Sequence, residues 1–134
     1  MTTSIPEAEP HAGALKQLLV DAGLQAGVGG APDGVAAPYV VLYPDPGVTS
    51  GTLGSLHTIL TMFVQVTAVG VGAEQALQQH DKARTALLGA TVTVPGRVVH
   101  PIRGGDAQPV RRDDGVQPPL WVATAGYTVV SDPA

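Results

Sequence analysis

Cysteine is absent from the 134 residues. That removes disulfides, thiolate nucleophiles and cysteine-ligated metals together. Aromatic side chains are nearly absent as well, with one Trp, one Phe and three Tyr. A core must therefore come from Val, Leu and Ala. Charged residues make up only 13% of the chain and the net charge is −4, which argues against a surface that grips nucleic acid. So few charges also suggest that partners cover part of the surface. The N-terminus MTTSIPEAEPHAG has no basic region followed by an apolar core, so it does not read as a signal peptide. The most apolar run, 59–73, contains Thr61, Gln65, Thr67 and two glycines. It is too short and too polar to span a bilayer.

Hydrophobic residues make up 44%, and their spacing organises the chain as a single domain, 1–134, with a flexible leader at 1–6. Leu15, Leu18, Leu19 and Ala22 fall at helical spacing, predicting a helix from about Glu7 to Ala22 that Gly23 stops. The stretch 27–38, GVGGAPDGVAAP, reads as a loop, and Tyr39–Tyr43 as a short strand closed by Pro44. Two prolines and three glycines in 44–55 predict a long loop. The longest strand signal is 56–69. It places Leu60, Met62, Val64, Val66 and Ala68 on one face, and Ile59, Thr61, Phe63, Gln65 and Thr67 on the other. A second helix is expected over Ala73–Leu88, with Ala76, Leu77, His80, Ala83, Leu87 and Leu88 facing inward and Gly89 ending it. Val92–Val94 and Arg97–Arg103 predict one or two short strands. Residues 103–119 form a long polar loop of the kind that tends to carry function. Leu120–Val130 is the last strand. The expected fold is α+β, in the order α-β-β-α-β-β: a mostly antiparallel sheet of about four to five strands covered by two helices.

The glycine-rich corner VQVTAVGVGAEQA, 64–76, invites comparison with phosphate-binding turns. A dinucleotide fingerprint requires G-x-G-x-x-G, but Gln75 occupies the third glycine position. No G-K-S/T follows, and Glu74 in the first helical turn would repel an anion. The corner reads as a structural turn whose glycines supply any positive φ it needs. A small-ligand or nucleotide-binding module would rest on Gly70 and Gly72 alone. His11, His57, His80 and His100 have no i, i+4 pairing that would suit a metal. A metal hydrolase would need His57, His80 and His100 to converge, and His80 on the inner helix stripe reads as a packed residue. Ser4, Ser50, Ser55 and Ser131 all lack a G-x-S-x-G context. Asp113-Asp114 is the one paired carboxylate, and it sits beside Arg111-Arg112, to which a salt bridge is the simpler assignment. No catalytic, cofactor or metal residue is assigned. The cluster Arg111, Arg112, Asp113, Asp114 reads either as a solvated loop tip or as a docking element, since the Arg fork suits bidentate pairing at interfaces. With Arg103, and with Asp45, Val48 and Leu53 of the other loop, it forms the candidate inter-subunit or partner surface.

Between about 12 and 130 the ordered segments LVDAG, PYVVLYP, MFVQVTAVG, AEQALQQHDKARTALLG, GRVVHPI and LWVATAGYTVV resemble the tail terminator (tail completion) proteins of long-tailed bacteriophages. That resemblance implies a homo-oligomeric, hexameric ring that caps the finished tail tube, stops its growth and offers the surface on which the head's connector docks. It implies a virion protein of the head–tail junction, assembled in the host cytoplasm. Its partners would be its own copies, the tail tube protein and the head connector protein, with DNA passing through unread and no membrane involved. Ring contacts would come from loops and sheet edges. A head-to-tail connector or neck protein is the alternative within the same class.

Overall fold

The computed structural model describes residues 5–134; of the leader expected at 1–6, residues 1–4 lie outside that range. The chain is α+β. Helices α1 (Ala8–Asp21) and α2 (Ala73–Leu88) cover one face of a sheet built from β1 (Ala26–Val28), β2 (Tyr39–Pro44), β3 (Val48–Thr52), β4 (Ser55–Gly70), β5 (Arg97–Val99), β6 (Arg103–Ala107), β7 (Arg111–Asp113) and β8 (Leu120–Pro133).

β4 and β8 form the spine. They pair antiparallel from Leu60 opposite Ser131 to Gly70 opposite Trp121. β2 and β3 share the far side of β4, β2 along Val64–Val69 and β3 along Ser55–Thr61. β7, β6 and β5 succeed one another along the outer edge of β8. β1 pairs with β2 in parallel, and every other pairing among the described residues is antiparallel.

The expected alternation is present. Leu60, Met62, Val64, Val66 and Ala68 are buried with Ala123, Ala125, Tyr127 and Val129 of β8 against Leu15, Leu19, Ala76, Ala83 and Leu87 of the helices. Each large apolar side chain buried in this way stabilises the fold by about 1.5–3 kcal/mol. The many alanines let the helices approach the sheet closely, so a core nearly without aromatics still fills. The opposite face of the sheet is largely open: Tyr43, Phe63 and Gln65 are exposed and Thr67 and Thr124 half-buried.

α1 stops as predicted. Gly23 takes a positive φ of 85°, its amide reaches the Val20 carbonyl, and the Leu24 amide reaches Leu19 at 3.0 Å. This is a Schellman closure, with buried Leu24 as its hydrophobic contact. On α2 the inner stripe is narrower than expected, because Leu77 and Leu88 are exposed. Ala22 of α1 is exposed too.

The two segments read as long loops carry strands, and the strand count among the described residues rises to eight. In 44–55 the prolines sit only at the start, and Val-Thr-Ser-Gly-Thr then pairs with β4 as one arm of a hairpin. In 103–119 the strands β6 and β7 form because β8 offers a free edge, and a free row of backbone groups recruits polar segments as readily as apolar ones. β1, inside the stretch read as a loop, forms on the edge of β2 for the same reason. Val92–Val94 is not a strand, although Val92 and Val94 are buried.

Candidate functional site

The expected surface residues fall into two groups on opposite sides of the sheet. Arg103 opens β6 opposite Thr128, and Arg111, Arg112 and Asp113 of β7 lie opposite Val122, Trp121 and Leu120. All four flank the outer edge of β8. Arg111 and Asp113 line a shallow groove on the open sheet face, about 400 Å³, with Tyr43, Gln65, Thr67 and Thr124. The Arg112 Nε donates to Asp114 Oδ1 at 2.6 Å, the pairing expected from RRDD. The Asp113 Oδ1 accepts the Gly115 amide at 2.9 Å and shapes the turn. Arg111 and Arg103 form no ion pair among the described residues, and both are exposed.

Asp45, Val48 and Leu53 lie on the other side of β4. Asp45 is a structural bracket at the root of the β3–β4 hairpin. Its Oδ1 accepts the amides of Gly47 and Phe63, both at 3.0 Å. Beyond it the hairpin runs out as an arm. Residues 50–57 are exposed throughout, and Leu53 at the turn is 98% exposed, with Val48 and Leu56 also bare. The arm has a defined shape. A Cβ at Gly51 would stand 2.0 Å from the Ser55 carbonyl oxygen, so only glycine allows the two strands to close there. His57 takes φ 61°, unusual outside glycine, where the register slips between Ser50 and Thr52. Its Nδ1 meets Thr49 Oγ1 at 3.0 Å.

The glycine corner is a packing device. Gly70 and Gly72 have no positive φ, contrary to the expected reason for glycine there. A Cβ on Gly70 would instead lie 2.7 Å from the Ala76 backbone nitrogen, because the end of β4 abuts the first turn of α2. Gln75, in the place of the missing third glycine, accepts the Val71 amide with its Oε1 at 2.8 Å. The side chain thus occupies an amide a phosphate would have used.

The chain also holds a serine–histidine pair that its sequence separation conceals. His11 on α1 and Ser131 at the end of β8 are 120 positions apart and 2.7 Å from each other. The His11 Nδ1 lies 2.7 Å from the Glu7 carbonyl. A carbonyl can only accept, so Nδ1 carries the proton and Nε2 accepts from the Ser131 hydroxyl. Arg97 completes the cluster, donating from Nε to Ser131 Oγ at 3.2 Å and from Nη2 to the Thr58 and Ser131 carbonyls at 2.8 and 2.7 Å. Ser131 is 0% exposed, and the third group is a carbonyl rather than an acid. The arrangement ties α1, β4, β5 and β8 together, and His11 and Arg97 also line a pocket of about 310 Å³ with Glu7 and Pro133.

Burial lowers the His11 pKa, the Glu7 hydrogen bond opposes that shift, and the Arg97 cation adds to it. Burial also lowers the pKa of His80, with Arg84 acting the same way and Asp81 opposing. His57 is held on the arm, His80 sits under α2, and His100 pairs with Asp132 at 2.6 Å. Among the described residues no three metal-binding side chains cluster, and no helix is long and apolar enough to cross a membrane.

The model of the family described as Tail completion protein gp17 matches residues 14–124. Among solved structures, a chain from the "Virion of native gene transfer agent (GTA) particle" superimposes with a TM-score of 0.70, covering 90% of this chain and 92% of that one. Their sequences are 15% identical, so this likeness is one of fold. No curated protein matches the chain. This family match, on a single sheet layered by two helices, defines a structural protein of the phage tail, located in the virion. The chain belongs to the tail completion protein gp17 family.

Proposed function

We propose that this protein closes the end of the tail tube as a homo-oligomeric ring, hexameric as the resemblance implies, which ends tube growth and receives the head connector. The observation that carries this reading is the placement of two exposed, chemically different surfaces on opposite edges of one sheet. The apolar β3–β4 arm flanks β4, and the arginine-bearing β6–β7 edge flanks β8. A subunit that offers unlike surfaces on opposite sides binds its neighbour head to tail, and head-to-tail contacts close into rings when the rotation fits. Family membership supports a place at the end of the tail. The net charge of −4 suits a lumen that DNA crosses without being held.

Sedimentation of the purified protein over a range of concentrations, alone and with tail tube protein, tests this. Rings in solution, or rings seen on tube ends by negative-stain microscopy, are expected. A chain that stays monomeric and never binds tube ends overturns the reading.

A further inference from the structure

The arm of the β3–β4 hairpin ends in an apolar knob, and the same chain carries an apolar socket that this knob cannot reach. Leu53 at the turn is 98% exposed and Leu56 near it 60%, while Val48, at the base of the arm, is 71% exposed. No charged residue lies between Gly47 and Leu56. A projecting, uncharged tip that bares two leucines is the kind of surface that marks a contact site.

The socket lies at the root of the arm, between α1 and the start of the hairpin. It is a groove of about 370 Å³ whose apolar lining is Ala8, Ala12, Val28, Pro44, Pro46 and Met62, with the acidic Glu9 and Asp45 also lining it. Val28 belongs to β1, the edge strand on the same side of the sheet as the arm, and is itself half-exposed.

The two cannot meet within one molecule. Met62 and Gly54 are both on the hairpin, and the strand between them spans eight residues, roughly 27 Å at the usual rise per residue. The hairpin ladder runs from Val48 opposite Thr61 to Thr52 opposite Ser55, with a register slip between Ser50 and Thr52. Leu53, 98% exposed, rests against no part of its own subunit, the socket included.

We infer that the socket's occupant is the arm of a second copy of this chain: Leu53 of one subunit seats among Ala8, Ala12 and Val28 of the next. A knob and a socket at different places on one subunit make a heterologous contact, which repeats from copy to copy until it closes. Every copy brings one of each, so a closed ring leaves none unfilled and an open chain leaves one of each at its ends. This inference rests on the ring reading above; it gives the arm its partner in the next copy and leaves the β6–β7 edge for the ring's other contacts.

The absence of cysteine makes the test clean. Wild type, Leu53→Asp, Leu53→Cys, Val28→Cys and the Leu53→Cys/Val28→Cys pair are compared by sedimentation and, under mild oxidation, by non-reducing electrophoresis, with tail tube protein present throughout. Because Leu53 is bare, Leu53→Asp is expected to keep the fold, shown by an unchanged melt, and to raise the concentration needed for assembly by about tenfold or more. The cysteine pair is expected to give a series of covalent multimers, where either single variant gives dimers at most.

Wild type that assembles while Leu53→Asp assembles equally well, or while the cysteine pair yields no series beyond dimers, overturns the knob-and-socket contact and leaves the ring intact. Rings that persist in Leu53→Asp but no longer cap tubes reassign the knob to the tube protein and overturn the contact between copies. Wild type that neither assembles nor binds tubes overturns the ring reading itself.

Discussion

The ring of Phe63 lies across Gly126. The two are on neighbouring strands, and a Cβ on Gly126 would come within 2.5 Å of Phe63 Cζ. On the open sheet face the bare backbone of one strand is thus covered by the diagonal aromatic of the next. Phe63, though 49% exposed, has a definite seat.

Gly126→Ala is expected to destabilise the fold by about 1 kcal/mol, toward the lower end of overpacking costs, because a half-exposed ring can swing aside. In a Phe63→Ala background the same substitution is expected to be neutral or slightly stabilising, since glycine in a strand is itself unfavourable. A double-mutant cycle by urea unfolding measures the difference. Equal effects in both backgrounds would show that the ring does not rest on the glycine.

Acid is expected to weaken the fold through His11 and His80. Both pKa values are lowered from the ordinary imidazole value of 6.5, burial being the largest cause in each. Between the lowered value and 6.5 the unfolded chain binds protons that the folded chain refuses, so stability rises with pH across that window. The contribution is present in full above 6.5 and is lost as pH falls through the folded-state values. At His11 the cause is visible: protonated Nε2 can no longer accept from Ser131, and the new cation faces Arg97. Urea unfolding at pH 7.5 and at pH 5.0 should give a lower midpoint at pH 5.0, with part of the difference removed in Ser131→Ala. A profile with no loss below 6.5 contradicts this account.

Long-range partners explain which parts of the fold and its surfaces were legible in sequence. The alternation of Leu60 through Ala68 and the helical stripe of α2 are local; the first appears where the pattern put it, and the second does so at Ala76, His80, Ala83 and Leu87 but not at Leu77 and Leu88. RGGDA at 103–107 has no alternation and two glycines, and it is a strand only because the edge of β8 lies beside it. VTSGT at 48–52 carries β-branched residues, but the neighbouring prolines and glycines outweighed them. The surface residues were legible as a list and not as an arrangement. That Arg111 and Leu53 lie on opposite sides of the sheet follows from β3 and β7 pairing with different strands, and no local spacing encodes it. His11 and Ser131 were each unremarkable, and their meeting is a product of the whole topology.

Reversal of Arg111 and Arg112 to Glu is expected to leave the fold intact, with melting temperature changed by only a few degrees, because both side chains are exposed. Assembly or partner docking should weaken. Arg111 carries more of the effect, since Arg112 is already engaged by Asp114. Sedimentation of the single and double variants checks this. Unchanged assembly in the double variant removes the β7 edge from the interface.

The two glycines of the corner between β4 and α2 should behave oppositely. At Gly70 a methyl group meets the backbone nitrogen of Ala76 at 2.7 Å and the Gln75 carbonyl carbon at 3.1 Å. Backbone cannot turn aside as a ring can, so Gly70→Ala must shift the first turn of α2 off the end of β4. A cost of about 2 kcal/mol is expected, within the range for overpacking. At Gly72 nothing lies within 4 Å of the same methyl group, and its φ of −152° is extended backbone open to any residue. Gly72→Ala should therefore cost only what Ala costs at the N-cap of α2, about 1 kcal/mol or less. A phosphate-cradling loop would make the opposite demand, since both glycines would then be needed for close approach of a ligand. Urea unfolding of the two variants separates the cases: a Gly72→Ala loss as large as that of Gly70→Ala would overturn the corner as a packing contact between strand and helix.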